Sequence, residues 1–206
     1  MNLYRHPLSS CSRRAVQTVL ELGLEDRVEL VTVDLAKGAQ RAPEFLAKNP
    51  NGRVPVLVDG DFVLWESNAI MQYLADGVPG QRLFPEERRA RADVVRWMFW
   101  NAHHFSQGVS TLNRERMVKK ILGQGEPDPA EVARGEAMVR TFGAVLDARL
   151  EGRAYLVGDG LTLADIAVAS ELSSWERAAL PLEGFGNVRR WFDAVRSRPS
   201  WARSGG

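Results

Sequence analysis

Three short strings hold the residues whose type and spacing could do chemistry. The first is Ser9-Ser10-Cys11-Ser12, three hydroxyls and the chain's one cysteine at the entry of an apolar helical pattern. Helix N-termini stabilise negative charge, so a hydroxyl or thiol placed there could meet a thiolate or become one. The plainer alternative is capping for the serines and small apolar packing for Cys11. The second string, NPNGRVPVLVDG, puts Pro55 at the head of an otherwise strand-like run, where its missing N–H would interrupt a ladder. A cis Val54-Pro55 bond would expose the Val54 backbone to an extended, peptide-like ligand; a trans proline at a strand edge is the alternative. The third is Glu66-Ser67 before the helical run NAIMQYLA. A serine at a helix start attracts a carboxylate and a neighbouring glutamate can hold an ammonium, the two charged groups of an amino-acid end. A serine cap flanked by a dipole-favouring glutamate gives the same string.

The elements that must position these residues follow from periodicity. Asn2–Arg5 reads as a strand, and Val16, Val19, Leu20 and Leu24 mark a helix that begins near Ser9. Val28–Val33 is a β-branched strand and Pro43–Lys48 a short helix opened by proline. Val54–Val58, an Asp59-Gly60 turn and Phe62–Trp65 read as a hairpin. Ser67 then caps a helix with Ala69, Ile70, Tyr73 and Leu74, and the order β-α-β-α-β-β-α results. Beyond Pro85 the pattern is helical throughout: Arg88–Leu122, Ala130–Leu150, Leu163 to about Ser173, and Val188–Ser197. The glycine- and proline-rich stretch Val78–Pro85 divides the chain into an α/β domain, residues 1–78, and an all-α domain, residues 86–206. Thr162 and Asp165 form a capping box at one helix entry, a structural role. Trp97, Trp100 and His104 share a helical face beside Phe105, either as core or as a pocket wall.

Composition narrows the function classes. The 206 residues hold 27 lysines and arginines against 26 aspartates and glutamates. Residues 1–80 carry eight basic and ten acidic side chains, and the remainder 19 and 16. Neither part offers the basic stripe that nucleic acid or an anionic membrane requires. A single cysteine excludes an internal disulfide and fits a reducing, cytoplasmic setting. His103 and His104 are adjacent, so they cannot form the i, i+4 pair of a zinc helix, and no metal is expected. No signal-peptide pattern and no apolar run of membrane-spanning length is present.

In this order and spacing, HPLSSCSRR, NPNGRVPVL, ESNAIMQYLA and LVGDGLTLADIAVA resemble the cytosolic glutathione S-transferases, in a bacterial, serine-type (theta-, phi- or zeta-like) form. The resemblance implies an N-terminal thioredoxin-like domain that binds glutathione as co-substrate and a C-terminal α-helical domain that holds a small electrophile. It implies a homodimer without metal, membrane or nucleic-acid partners. By the same resemblance Ser9 activates the glutathione thiol, with Ser10 and Cys11 as alternatives. Val54 and Pro55 meet the cysteinyl backbone, Ser67 the γ-glutamyl carboxylate and Glu66 its ammonium. Gln40, Arg41 and Arg53 are candidates for the glycyl carboxylate, and Trp100, His104 and Phe105 for the electrophile pocket. A non-catalytic binding protein, or a glutathione-dependent peroxidase, isomerase or thiol transferase, is the alternative function.

Overall fold

The computed structural model describes residues 1–205, which divide into two compact units: residues 1–85 with 197–205, and residues 86–196. In the first unit the order is β1 (Asn2–Arg5), α1 (Ser10–Glu21), β2 (Glu29–Thr32), α2 (Pro43–Leu46), β3 (Val56–Asp59), β4 (Phe62–Trp65) and α3 (Ser67–Asp76). The sheet runs β2-β1-β3-β4; β1 is parallel to β2 and antiparallel to β3. Alternation along β1 explains the layers, because Leu3 joins Val16, Val19, Leu57 and Ile70 on one face while Tyr4 packs with Phe45 and Val56 on the other. This is the α/β order that the periodicity implied, in the thioredoxin-like arrangement that the resemblance implied.

Three local expectations change. Strand β3 begins at Val56, leaving Val54 and Pro55 outside the ladder, as proline's missing donor requires. Asp59 pairs with Phe62, so the hairpin turn is Gly60-Asp61, with Gly60 at φ +61° as a tight primed turn demands. Ser67 is the first residue of α3, not its cap. Glu66 takes the cap position at φ +73° and makes no side-chain cap bond.

In the second unit the expected long helix is continuous from residue 88 to 122 but widens twice. It comprises α4 (Arg88–Trp100), a wide π turn at Asn101–Phe105, α5 (Ser106–Asn113), a second π turn at Arg114–Val118, and α6 (Lys119–Leu122). Then follow α7 (Pro129–Leu150), α8 (Leu163–Glu171) and α9 (Gly186–Arg196). Gly108 of α5 and Gly135 of α7 permit a close helix crossing: a Cβ on Gly108 would stand 3.0 Å from the Gly135 carbonyl. Helix α8 is buried along its whole length. Its Asp165 anchors four donors: the backbone N–H groups of Leu156 (2.8 Å) and Thr162 (2.9 Å), the Thr162 hydroxyl (2.8 Å) and the Trp191 indole N–H (2.9 Å). Burial pushes the Asp165 carboxyl above its usual range despite these bonds.

A further helix, α10 (Pro199–Ser204), had no counterpart in the sequence reading. The sequence-based division puts residues 197–206 with the helical part, whereas residues 197–205 belong to the first unit, where α10 packs against α1.

Candidate glutathione site

The first unit holds a cavity of about 360 Å³ walled by Cys11, Asn49, Asn51, Arg53, Val54, Pro55, Glu66 and Ser67. It lies within the size range of small-molecule clefts. A cavity of about 400 Å³ stands at the other end of β3, against Met1, Leu24, Asp59 and Tyr73, and touches none of the candidate residues. Size alone therefore does not pick the site; convergent chemistry does.

Each wall has a local cause. The Val54-Pro55 bond is cis, and Val54, half-buried, stands free of the β3 ladder. The loop before it is shaped by Asn49, only 3% exposed. Asn49 donates Nδ2 to the Arg53 carbonyl at 2.7 Å, and its Oδ1 accepts from Asn51 N (3.0 Å) and Asn51 Nδ2 (2.9 Å). Gly52 sits at φ +60°, where a Cβ would lie 3.2 Å from the Gln40 carbonyl; only glycine accommodates both conditions. Opposite, Glu66 at φ +73° and ψ 109° lies outside the regions that L-residues favour, a strain worth about 1–3 kcal/mol of the kind that collects at functional sites. Its carbonyl accepts from Ile70 N at 3.0 Å, which opens α3 so that the first-turn N–H groups, which have no intrahelical acceptor, begin at Ser67. A helix start, a carboxylate side chain and a backbone segment outside the ladder thus stand around one cavity.

The residues at the α1 entry divide. Ser9 caps the helix, its Oγ accepting from Ser12 N at 3.2 Å. A serine hydroxyl has one proton and two lone pairs, so this bond uses a lone pair and leaves the proton to donate. Cys11, on the first turn, is the member of the cluster that lines the cavity; Ser9 and Ser10 are not among its walls. Ser12 is buried and accepts from His6 N at 3.2 Å.

Of the other expected residues, Arg53 reaches the cavity wall whereas Gln40 and Arg41 do not, and Arg41 is exposed. In the helical unit, Trp100 is half-buried, stacked on Phe105 at 5.6 Å and edge-on to Phe142 at 6.2 Å. His104 is exposed, 5.1 Å from the Phe142 ring. Phe105 is fully buried and serves as core. Asn49, Asn51 and Arg14 were missed. Arg14 is 3% exposed and donates to Asn68 Oδ1 at 3.3 Å, tying α1 to the start of α3. The two asparagines flanking Pro50 were the available signal, since asparagine side chains shape tight loops. Among the described residues, no cluster of three or more histidine, cysteine, aspartate or glutamate side chains could hold a metal ion, and no helix is long and apolar enough to cross a membrane.

A thioredoxin-like unit with a cis-proline loop facing a strained Glu-Ser helix start, followed in the chain by an all-helical unit, defines a two-part fold class. Within it, this chain belongs to the glutathione S-transferase family: the model of the family's N-terminal domain matches residues 1–76 and that of its C-terminal domain residues 101–199. Among its relatives is glutathione S-transferase 3 of Zea mays, 37% identical over 210 aligned positions that span 99% of this chain and 92% of the relative. Glutathione transferase F7 of Populus trichocarpa superposes with a TM-score of 0.88 at 29% identity, covering 98% and 96% of the two chains. A glutathione S-transferase I solved with lactoylglutathione superposes at 0.85, also 29% identical, over 98% and 97%.

Proposed function

We propose that Ser9 supplies the hydrogen bond with which this chain activates glutathione. The chain is a glutathione S-transferase, transferring the glutathione thiol to an electrophile. The observation that carries the serine-type reading is the Ser9 cap geometry: the bond from Ser12 N fixes the hydroxyl at the positive end of α1 with its proton unspent. A free thiol of pKa near 8.5 is about 3% thiolate at pH 7; lowering that by about two units gives roughly 75%, a differential stabilisation near 2.7 kcal/mol. A hydroxyl donor and a helix N-terminus both favour the charged sulfur, so Ser9 need not ionise.

The remaining roles follow the walls of the cavity. Ser67 and the α3 N-terminus take the γ-glutamyl carboxylate, Glu66 its ammonium, and the Val54 backbone beside Pro55 pairs with the cysteinyl amide. Arg53 takes the glycyl carboxylate from the wall, with Gln40 and Arg41 beyond it. The thiolate then attacks an electrophile held by the helical unit, to which Trp100 and His104 contribute, while Phe105 backs Trp100. The 1–78 and 86–206 division is thereby one of labour, with the C-terminal turn of the chain packed on the first part. A serine-type enzyme of bacterial kind, cytoplasmic and homodimeric, completes the reading; exposed Phe62, Val63 and Trp65 on β4 support self-association.

A second reading is favoured by one observation, that Cys11 lines the cavity. There the cysteine thiol meets glutathione directly and the activity becomes thiol transfer. Capture on immobilised glutathione, followed by assays with haloaromatic, epoxide, isothiocyanate, hydroperoxide and mixed-disulfide substrates, tests the proposal. Conjugation by wild type that survives Cys11→Ala supports the serine reading; turnover of mixed disulfides alone, abolished by Cys11→Ala, overturns it.

A further inference from the structure

We infer that the C-terminal segment Arg198–Ser204 braces the helix that carries Ser9, and that Arg13 is the positioning residue through which the brace acts. The inference rests on Ser9 as the group that meets the glutathione thiol.

Ser9, Arg13, Gln17 and Glu21 recur every fourth residue and so share one face of α1. The last three all grip the C-terminal segment. Arg13 donates Nη1 to the Trp201 carbonyl at 2.8 Å and to Ser204 Oγ at 3.2 Å, with its guanidinium 4.5 Å from the centre of the Trp201 ring. Gln17, fully buried, donates Nε2 to Ser200 Oγ at 3.3 Å. Glu21 accepts a forked pair from Arg198, Nε and Nη2 each at 2.7 Å, and a further bond from the Ser200 hydroxyl. At the helix entry, Arg13 N donates to the Ser9 carbonyl at 2.8 Å, the bond that closes the first turn. A line of bonds thus runs from the end of the chain to the cap.

The apolar packing of α1 is carried by different residues, Ala15, Val16 and Val19, which meet Leu3, Leu57 and Ile70. Burial of these side chains keeps α1 on the sheet whether or not the brace is present. What the brace adds is a fixed axial position and tilt for the N-terminal turn. A hydrogen bond weakens steeply with misalignment, and displacement of a catalytic group by about 1 Å is enough to cost catalysis heavily. Arg13 suits the task because its planar guanidinium both forks between two acceptors and stacks on an indole.

The test follows the thiol of bound glutathione by ultraviolet absorbance against pH in wild type, Arg13→Met, Arg13→Lys, Ser9→Ala and the Arg13→Met/Ser9→Ala double variant, alongside kcat and KM. Arg13→Met is expected to raise the bound thiol pKa by about half a unit to one unit and to lower kcat near pH 6.5 about 2- to 5-fold, a gap that closes at alkaline pH. KM for glutathione should stay within about twofold, and Arg13→Lys should recover part of the loss. In the Ser9→Ala background, Arg13→Met should add no further shift, because the group it positions is gone. A shifted titration in Ser9→Ala beside an unchanged one in Arg13→Met overturns the brace and leaves the role of Ser9 standing. An unchanged titration in Ser9→Ala overturns both. If Arg13→Met does not fold, Ser204→Ala removes the hydroxyl that Arg13 Nη1 meets at 3.2 Å; a smaller shift in the same direction is expected, and no shift overturns the inference.

Discussion

Asn49 donates its side-chain amide to the Arg53 carbonyl at 2.7 Å while its carbonyl oxygen accepts twice from Asn51, so one buried side chain sets the loop that delivers Val54 to the cavity. Removing it strands a buried carbonyl and releases the turn. Asn49→Ala is expected to destabilise by about 1–3 kcal/mol in denaturant unfolding and to raise KM for glutathione several-fold. Asn49→Asp should do no better, because a carboxylate oxygen would then face the Arg53 carbonyl. Unchanged stability and KM in Asn49→Ala would show that the backbone alone holds the loop.

Asp165 is more than a cap. Capping alone is worth about 0.5–2 kcal/mol, but here the same carboxylate also accepts from Leu156 N and from the Trp191 indole, in a fully buried setting. Asp165→Ala would leave four donors unpaired and is expected to cost at least about 3 kcal/mol. Asp165→Asn turns one oxygen into a donor facing Thr162 N and should cost about 1–3 kcal/mol. Thermal unfolding of the two variants checks the order; an Asn variant as damaging as Ala would contradict it. Glutathione affinity measured on the folded fraction should stay near wild type.

Glu21 gives the brace a pH signature. Burial pushes its carboxyl up, but the hydrogen bonds from Arg198 and Ser200 and the Arg198 charge outweigh this and hold it below the ordinary 4.5. A folded-state value below the unfolded one gives stability that is present above about pH 4.5 and is lost as pH falls through the folded value. Glu21→Gln should therefore cost stability at pH 7 and progressively less toward pH 3. Urea midpoints for both proteins across that range supply the comparison, and a cost that does not change with pH would rule out the ion pair as its source.

Glu66 is predicted to act on binding and not on the chemical step. Glu66→Gln keeps the shape and loses the charge proposed to meet the ammonium of glutathione, so KM for glutathione should rise about tenfold with kcat within about twofold. A loss confined to kcat would place Glu66 in the activation of the thiol instead.

The legible parts of this molecule were those with a period. Strand-like runs marked β1 and β4 residue for residue and β3 to within two residues at its start, and helical spacing marked α1, α3 and α7. The capping pair Thr162–Asp165 could be read because its chemistry is local in sequence. Helix α10 could not, because its six residues show no apolar period and its hold on α1 comes from Arg13, Gln17 and Glu21, about 180 positions away. The long-range partners of Asp165 were hidden for the same reason. Serine's preference for the cap position points to Ser67, whereas Glu66, with φ +73°, takes that position and Ser67 is the first residue of the helix. Spacing identifies the face of Trp97, Trp100 and His104 without saying what it meets, which left core and pocket wall both open; Phe105 beside it is fully buried.

The most direct measurement of the central claim is the ultraviolet titration of glutathione bound to wild type, Ser9→Ala and Cys11→Ala. The account predicts that Ser9→Ala raises the bound thiol pKa by about one unit or more, with glutathione still bound and conjugation recovering as pH rises, while Cys11→Ala titrates like wild type. An unchanged titration in Ser9→Ala, with the shift appearing in Cys11→Ala, would contradict it.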